Sequence, residues 1–355
     1  MASEGFEPPK AEPSDLQSDP FGRSGNLPDS FDYSKCTGQA YMNTSTLRHL
    51  FPCLATFATV TTANEPTIQP NSQQPNVTLA DDLLDELAAI AQRVGVDAAA
   101  MASQLRREGV DVAATKTSAV DVVTEADRAV ESYIREELAR LRPQDGFFGE
   151  ESDASESESG LTWVVDPIDG TVNYLYGIPN YAVSIAAVTG NPAANPTDFV
   201  THVGVVAAPD LGETFVAVRG RGAWRNDEPL SLGKGPASLE QTLVATGFSY
   251  QADRRKLQAQ TYLAMADRVR DLRRVGAASL DLCAAATGRV DVYYEFGLKP
   301  WDWAAGALVA REAGAKVSGM RSVAPEGRAI LVCAHPAIAA DFLELLHLST
   351  PADLL

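Results

Sequence analysis

Three short acidic stretches carry the side chains most able to do chemistry. They are Gly149-Glu150-Glu151, which follows the apolar Phe147-Phe148, then Trp163-Val-Val-Asp166-Pro-Ile-Asp169-Gly-Thr171, and Trp301-Asp302-Trp303-Ala-Ala-Gly306. In the middle stretch an apolar strand should end at Asp166, and Pro167 with Gly170 should force a tight turn that brings Asp166 and Asp169 together. Carboxylate oxygens are hard ligands suited to Mg²⁺, which prefers octahedral oxygen coordination and keeps some of its waters. Past that turn, Gly170 and Thr171 can offer backbone N–H groups to an anion at the start of a short helix. A carboxylate-held metal beside an anion nest is what metal-assisted phosphate hydrolysis requires. Singly, each stretch has an ordinary reading: a turn, a strand end reaching solvent, a helix N-cap. Their co-occurrence in one chain, in this order, points to chemistry.

The elements that must position these residues are legible in the hydrophobic spacing. Leu79, Leu83, Leu87, Ile90 and Val94 recur three and four apart, the stripe of an amphipathic helix. A second helix should run from Thr124, its N-cap, to Leu141, with Asp127 in the first turn and Val130, Ile134, Leu138 and Leu141 facing inward. Strands are expected at 161–166, 181–189, 202–208, 213–219 and 242–246. Helix 253–270 and a helix opening at Gly276 follow, then strand 290–296, helix 301–314, strand 329–334 and a last helix from Pro336. Strands mixed with packed helices indicate an α+β or layered α/β chain. Ser152–Gly160 reads as an exposed loop.

The chain has 355 residues, a 45% hydrophobic share and a net charge of −18, so it can bury a large core but is poorly suited to bind phosphate backbones or anionic membranes. No basic run reverses that sign, and neither nucleic acid nor membrane is expected as a partner. Cys36, Cys53, Cys283 and Cys333 form no CxxC pair and no disulfide framework, which fits a reducing cytoplasm. The four histidines are isolated from one another, which argues against zinc. Residues 1–78 are rich in Pro, Ser, Thr, Asn and Gln and lack periodicity. They are expected to be a disordered tail, or to lie upstream of a true start near Val77. The ordered chain is expected to divide into an N-terminal α+β half, 79–195, and a C-terminal α/β half, 196–347.

The ordered set Gly149-Glu150-Glu151, Asp166-Pro-Ile-Asp-Gly-Thr171 and Trp301-Asp-Trp-Ala-Ala-Gly306 resembles the inositol monophosphatase family of Mg²⁺-dependent, lithium-sensitive phosphatases. Lys116 and Asp121-Val-Val-Thr-Glu-Ala-Asp127 upstream, and Val292-Tyr-Tyr-Glu-Phe-Gly297 downstream, extend the resemblance over about 79–345. It implies the layered α-β-α-β-α sandwich shared with fructose-1,6-bisphosphatases, and a homodimer. It also implies two to three Mg²⁺ per site. Glu150, Asp166 and the carbonyl of Ile168 would hold the first metal, and Asp166, Asp169 and Asp302 the second. A weaker third would sit near Glu150. The implied mechanism is in-line attack by a metal-bound water, oriented or deprotonated by Glu150 and Thr171, with Asp127 polarising Thr171. No Ser-His or Cys-His arrangement suggests a covalent intermediate.

The same resemblance places Asp169, Gly170, Thr171, Gly276, Ala278 and Glu295 against the substrate. A carboxylate such as Glu295 can accept hydrogen bonds from ring hydroxyls. Lys116 is either a cation near the bound phosphate or a surface lysine. Two departures from the family pattern stand out. The loop between Glu151 and Asp166 is short, and Ala277 replaces a frequent Ser or Thr. The expected activity is release of phosphate from myo-inositol 1-phosphate or a related polyol phosphate. Histidinol phosphate, fructose 1,6-bisphosphate or a 3′-phosphoadenosine compound would be sister substrates. A reading of another class is a non-catalytic protein associated with the transcription machinery.

Overall fold

The computed structural model describes residues 78–109, 112–115, 122–193, 199–320 and 330–354, all within the compact unit Ile68–Leu355. The elements are, in order, α1 (Asp81–Glu108), β1 (Val112–Thr115), β2 (Val122–Thr124), α2 (Glu125–Leu141), β3 (Gly146–Gly149), β4 (Leu161–Asp169) and α3 (Thr171–Leu175). Strands β5 (Ala182–Gly190), β6 (Phe199–Ala208), β7 (Glu213–Val218), β8 (Gly222–Arg225), β9 (Glu228–Pro229) and β10 (Leu243–Thr246) come next. The chain continues through α4 (Ala252–Met265), β11 (Asp271–Arg273), α5 (Ala278–Ala286), β12 (Val292–Phe296), α6 (Pro300–Glu312), β13 (Lys316–Met320), β14 (Ile330–Ala334) and α7 (Ala339–Ser349).

Strands β3 to β9 form a seven-stranded sheet in sequence order, parallel between β3 and β4 and antiparallel elsewhere. A five-stranded sheet has the order β11-β10-β12-β14-β13. Alternation along the strands sorts the core into three clusters. Val183, Ile185 and Ala187 of β5 pack with Leu87, Val94 and Ile134 of the outer helices α1 and α2. Ala182, Ala186 and Val188 turn to the other face, against Leu282 of α5, Leu308 of α6, and Tyr293 and Cys333 of the second sheet. Val292, Tyr294 and Phe296 of β12 close on Phe342 and Leu346 of α7. The layers are therefore α1/α2, the seven-stranded sheet, α5/α6, the five-stranded sheet, and α4/α7. This is the five-layer sandwich that the resemblance implies. Both faces of each sheet are covered, so the central strands read as nearly continuous apolar runs.

Two expectations need correction. The strand expected at 161–166 continues to Asp169. The helix expected over 253–270 stops at Met265, because the chain must turn for Asp271–Arg273 to pair beside β10 at the sheet edge. The line between the two expected halves, at 195/196, runs between β5 and β6, which pair directly in the seven-stranded sheet. Ser152–Gly160 is mostly exposed, as expected. The N-terminal stretch 1–77 lies outside the described residues. Among the described residues no helix is long and apolar enough to cross a membrane.

Candidate active site

The position of Asp166 and Asp169 depends on an irregularity in β4. Asp166 pairs with Ser184 and Asp169 with Ala182, so three steps on β4 match two on β5. Residues three apart on a regular strand point to opposite faces, and the extra residue of a β-bulge restores a common one. Pro167, which has no N–H to give the ladder, sits where the pairing breaks. Trp163, Val165 and Ile168 face the outer helices. The two carboxylates share the face of Val164 and Ala182, toward the central helix layer. The Ile168 N–H donates to Asp166 Oδ1 at 3.1 Å. Gly170, at φ +91°, then turns the chain into α3. Asp166 and Asp169 are thus joined by a bulge rather than by the expected tight turn.

The start of α6 meets this face. The Ser184 hydroxyl donates to the Trp301 carbonyl at 3.2 Å, and the Trp301 ring packs edge-on against Phe148 with centroids 5.0 Å apart. Phe148 lies two residues before Glu150, so one aromatic contact draws the end of β3 and Asp302 together. Gly149 pairs with Val165 in the parallel ladder, and Glu150 leaves the strand at the step beside Asp166. Asp302 Oδ2 accepts the Lys299 N–H at 2.6 Å. Burial first, then the Glu150 charge, push the Asp302 carboxyl well above the usual range.

Asp169 caps α5 from the neighbouring sheet. Its Oδ1 accepts the Ala278 N–H at 3.2 Å, and its Oδ2 accepts the Ser279 N–H at 2.7 Å and the Ser279 hydroxyl at 2.5 Å. A carboxylate is favoured at a helix N-terminus, where backbone N–H groups lack partners. Burial raises the Asp169 pKa, and these bonds offset part of the rise. Gly276, at φ +93°, precedes the capped helix. The Asn173 side-chain amide donates to the carbonyls of Asn180, at 2.7 Å, and Val275, at 2.9 Å, fastening α3 to the Gly276–Ala278 segment.

On the outer side, α2 begins with the expected N-cap. Thr124 and Asp127 form a reciprocal capping box, with the Thr124 N–H donating to Asp127 Oδ2 at 2.8 Å. The Thr171 hydroxyl lies 3.2 Å from both Asp127 Oδ1 and the Ile168 carbonyl, either of which can accept its one proton. Asp127 is buried, and burial raises its pKa. The Thr171–Asp127 pairing expected from the sequence is therefore present.

Glu295 projects from β12 on the face opposite Val292, Tyr294 and Phe296, toward α5. The Tyr293 hydroxyl donates to its Oε2 at 2.7 Å, and burial pushes its pKa up to about 7. Sequence reasoning missed the companion residue Asp281. It is 1% exposed and neither carboxylate oxygen has a hydrogen-bond partner among the described residues. Burial, then Glu295 and Asp169, raise its pKa well above the ordinary value, and the Arg274 charge offsets part of the rise. The available signal was one Asp inside the otherwise apolar run Leu280–Ala286. Glu131, 2% exposed in the apolar stripe of α2, was missed in the same way. Lys116 and Asp121 lie outside the described residues.

Asp166 and Asp169 share one face of β4, with Glu150 at the step beside Asp166 and Asp302 at the start of α6, yet among the described residues no group of three or more His, Cys, Asp or Glu is placed to hold a metal ion. Asp169 and Asp302 turn oxygens to backbone N–H groups instead. By chemistry the donor set suits a hard divalent ion. It is all oxygen, and the Glu150 repulsion that adds to burial in raising Asp302 is what a cation would relieve.

The inositol monophosphatase family profile matches residues 83–349. The curated Inositol-1-monophosphatase SuhB of Mycobacterium tuberculosis is 39% identical over 288 residues, covering 76% of this chain and 97% of that protein. Nus factor SuhB of Escherichia coli strain K12 is 40% identical over 213 residues, 58% of this chain and 75% of that protein. The crystal structure of extragenic suppressor protein suhB from Bartonella henselae shares 31% identity and a TM-score of 0.65. That match covers 74% of this chain and 98% of that one.

Proposed function

The chain belongs to the inositol monophosphatase family, and from that premise we propose that it is a Mg²⁺-dependent phosphomonoesterase acting on myo-inositol 1-phosphate or a related polyol phosphate. The observation that carries this reading is the bulge in β4, which sets Asp166 and Asp169 on one face, beside Glu150 and the α6 start that bears Asp302. In this reading Glu150, Asp166, the Ile168 carbonyl, Asp169 and Asp302 hold two to three Mg²⁺. Bound Mg²⁺ would neutralise the ester's charge and make water nucleophilic near neutral pH.

The chain's own residues supply the rest. The Thr171 hydroxyl, donating to Asp127, accepts a hydrogen bond from the attacking water and orients it, and the Glu150 carboxylate takes up the water's proton. The Gly170 and Thr171 N–H groups face the phosphate, and the Gly276–Ala278 segment borders the alcohol. Glu295 accepts hydrogen bonds from the polyol hydroxyls. Lys116 completes the phosphate contacts in this reading, and the protein is a homodimer, which light scattering would check.

A second reading is favoured by one observation: a relative with 40% identity is named a Nus factor. A role as an interaction protein predicts that Asp302→Asn leaves the cellular role intact. The test is phosphate release from a panel of esters, including histidinol phosphate and fructose 1,6-bisphosphate, with Mg²⁺ and with or without lithium. Inositol 1-phosphate should give the highest kcat/KM, chelation should abolish release and lithium should inhibit it. No release from any ester would overturn the proposal.

A further inference from the structure

The helix that carries Asp127 carries a second buried carboxylate one turn later. Glu131 stands four residues after Asp127, so both side chains leave α2 on one face. Glu131 Oε2 accepts the Glu151 N–H at 2.8 Å. It also lies against Gly149, where a Cβ would collide with Glu131 Oε2 and come 2.7 Å from Glu131 Cδ. The buried carboxylate thus grips the residues on both sides of Glu150. Its position in a stripe with Val130, Ile134 and Leu138 would favour an apolar residue if packing alone decided. A part-buried N–H stripped of its acceptor is costly, so losing this one would free the Glu150–Glu151 peptide to move.

We propose that Glu131 is a positioning residue for Glu150, fixing the end of β3 from the helix that also orients Thr171 through Asp127. The inference rests on the proposed role of Glu150 and extends it, coupling the metal side of the site to its proton-handling side through one helical turn.

The test compares Glu131→Gln, whose carbonyl oxygen can still accept the Glu151 N–H, with Glu131→Met, which cannot. Gly149→Ala disturbs the same contact from the strand side. Removing groups that orient ligands typically costs about 10–100-fold in metal affinity or activity. Glu131→Met and Gly149→Ala should therefore raise the half-saturating Mg²⁺ concentration by about that factor, in phosphate release and in calorimetric titration alike. At saturating Mg²⁺ the ester KM should stay near the wild-type value. Hydrogen exchange should show lost amide protection at Glu151 in Glu131→Met, whereas Glu131→Gln should keep most of the protection and the Mg²⁺ affinity. The assignment is overturned if Glu131→Met keeps the wild-type Mg²⁺ requirement, or if Glu131→Gln falls as far as Glu131→Met. Should the wild-type protein turn over no ester, the proposed function fails, and calorimetry with amide exchange still decides the role of Glu131.

Discussion

The two walls of the candidate site are built on different electrostatic terms. On the wall of β3, β4 and α2, acidic side chains are held by backbone and side-chain donors. Asp127 takes the Thr124 N–H, Asp166 that of Ile168 and Glu131 that of Glu151. On the wall of α5 and β12, Asp281 is buried with no hydrogen-bond partner among the described residues, and Glu295 is held by the Tyr293 hydroxyl. Donors aimed at a carboxylate favour its charge, whereas burial without donors favours the proton. In the proposed function the first wall presents fixed oxygens, and the second offers groups whose hydrogen bonding can adapt to an alcohol.

Substitutions on the first wall, at Thr171 just after β4 and at Asp302 on α6 should have the largest effects. Asp166→Asn and Asp302→Asn should lower phosphate release by about 10³-fold or more, since metal assistance is worth several kcal/mol. Their melting temperatures should hold or rise, because each removes a carboxyl from an acidic cluster. Thr171→Val and Asp127→Asn should each lower kcat by about 10²-fold, in the range of general acid–base contributions, while Thr171→Ser should recover much of it. Loss of activity in Thr171→Ser as deep as in Thr171→Val would mean that packing matters there and the hydroxyl does not.

Substitutions on the second wall should be milder and selective. Glu295→Gln should raise KM for inositol 1-phosphate by up to about tenfold, the weight of one hydrogen bond. It should leave p-nitrophenyl phosphate, which has no ring hydroxyls, nearly unaffected. Equal loss on both substrates would erase the distinction between the walls.

The smallest effect should be on stability. An unfolded glutamate ionises near 4.5, whereas Glu295 keeps its proton up to about 7 in the folded chain. Between those values the folded state binds more protons, so this group makes stability fall as pH rises from about 4.5 to about 7. Glu295→Gln should flatten that part of a melting-temperature profile recorded with a chelator present.

Much of this arrangement is legible in the sequence, for local reasons. The Thr124 N-cap followed by Asp127 announces α2 because capping needs only four consecutive residues, and both roles hold in the structure. The strand bearing Asp166 stands out because both its faces are buried. The bulge does not, since Asp-Pro-x-Asp-Gly is equally good turn sequence and only the pairing with β5 decides. Glu131 and Asp281 escaped because a carboxylate in an apolar stripe has no local partner to reveal it. Their neighbours, Glu151 for one and Glu295 for the other, arrive from distant strands.

The central claim is that oxygens from the end of β3, the β4 bulge and the start of α6 serve a divalent cation needed for ester hydrolysis. It is tested most directly by adding Mg²⁺ back to metal-stripped protein and following phosphate release from myo-inositol 1-phosphate, in the wild type and in Asp166→Asn. The wild type should be silent without Mg²⁺ and recover saturably, with the variant silent throughout. Phosphate release by stripped wild-type protein, or full recovery in Asp166→Asn, would contradict the account.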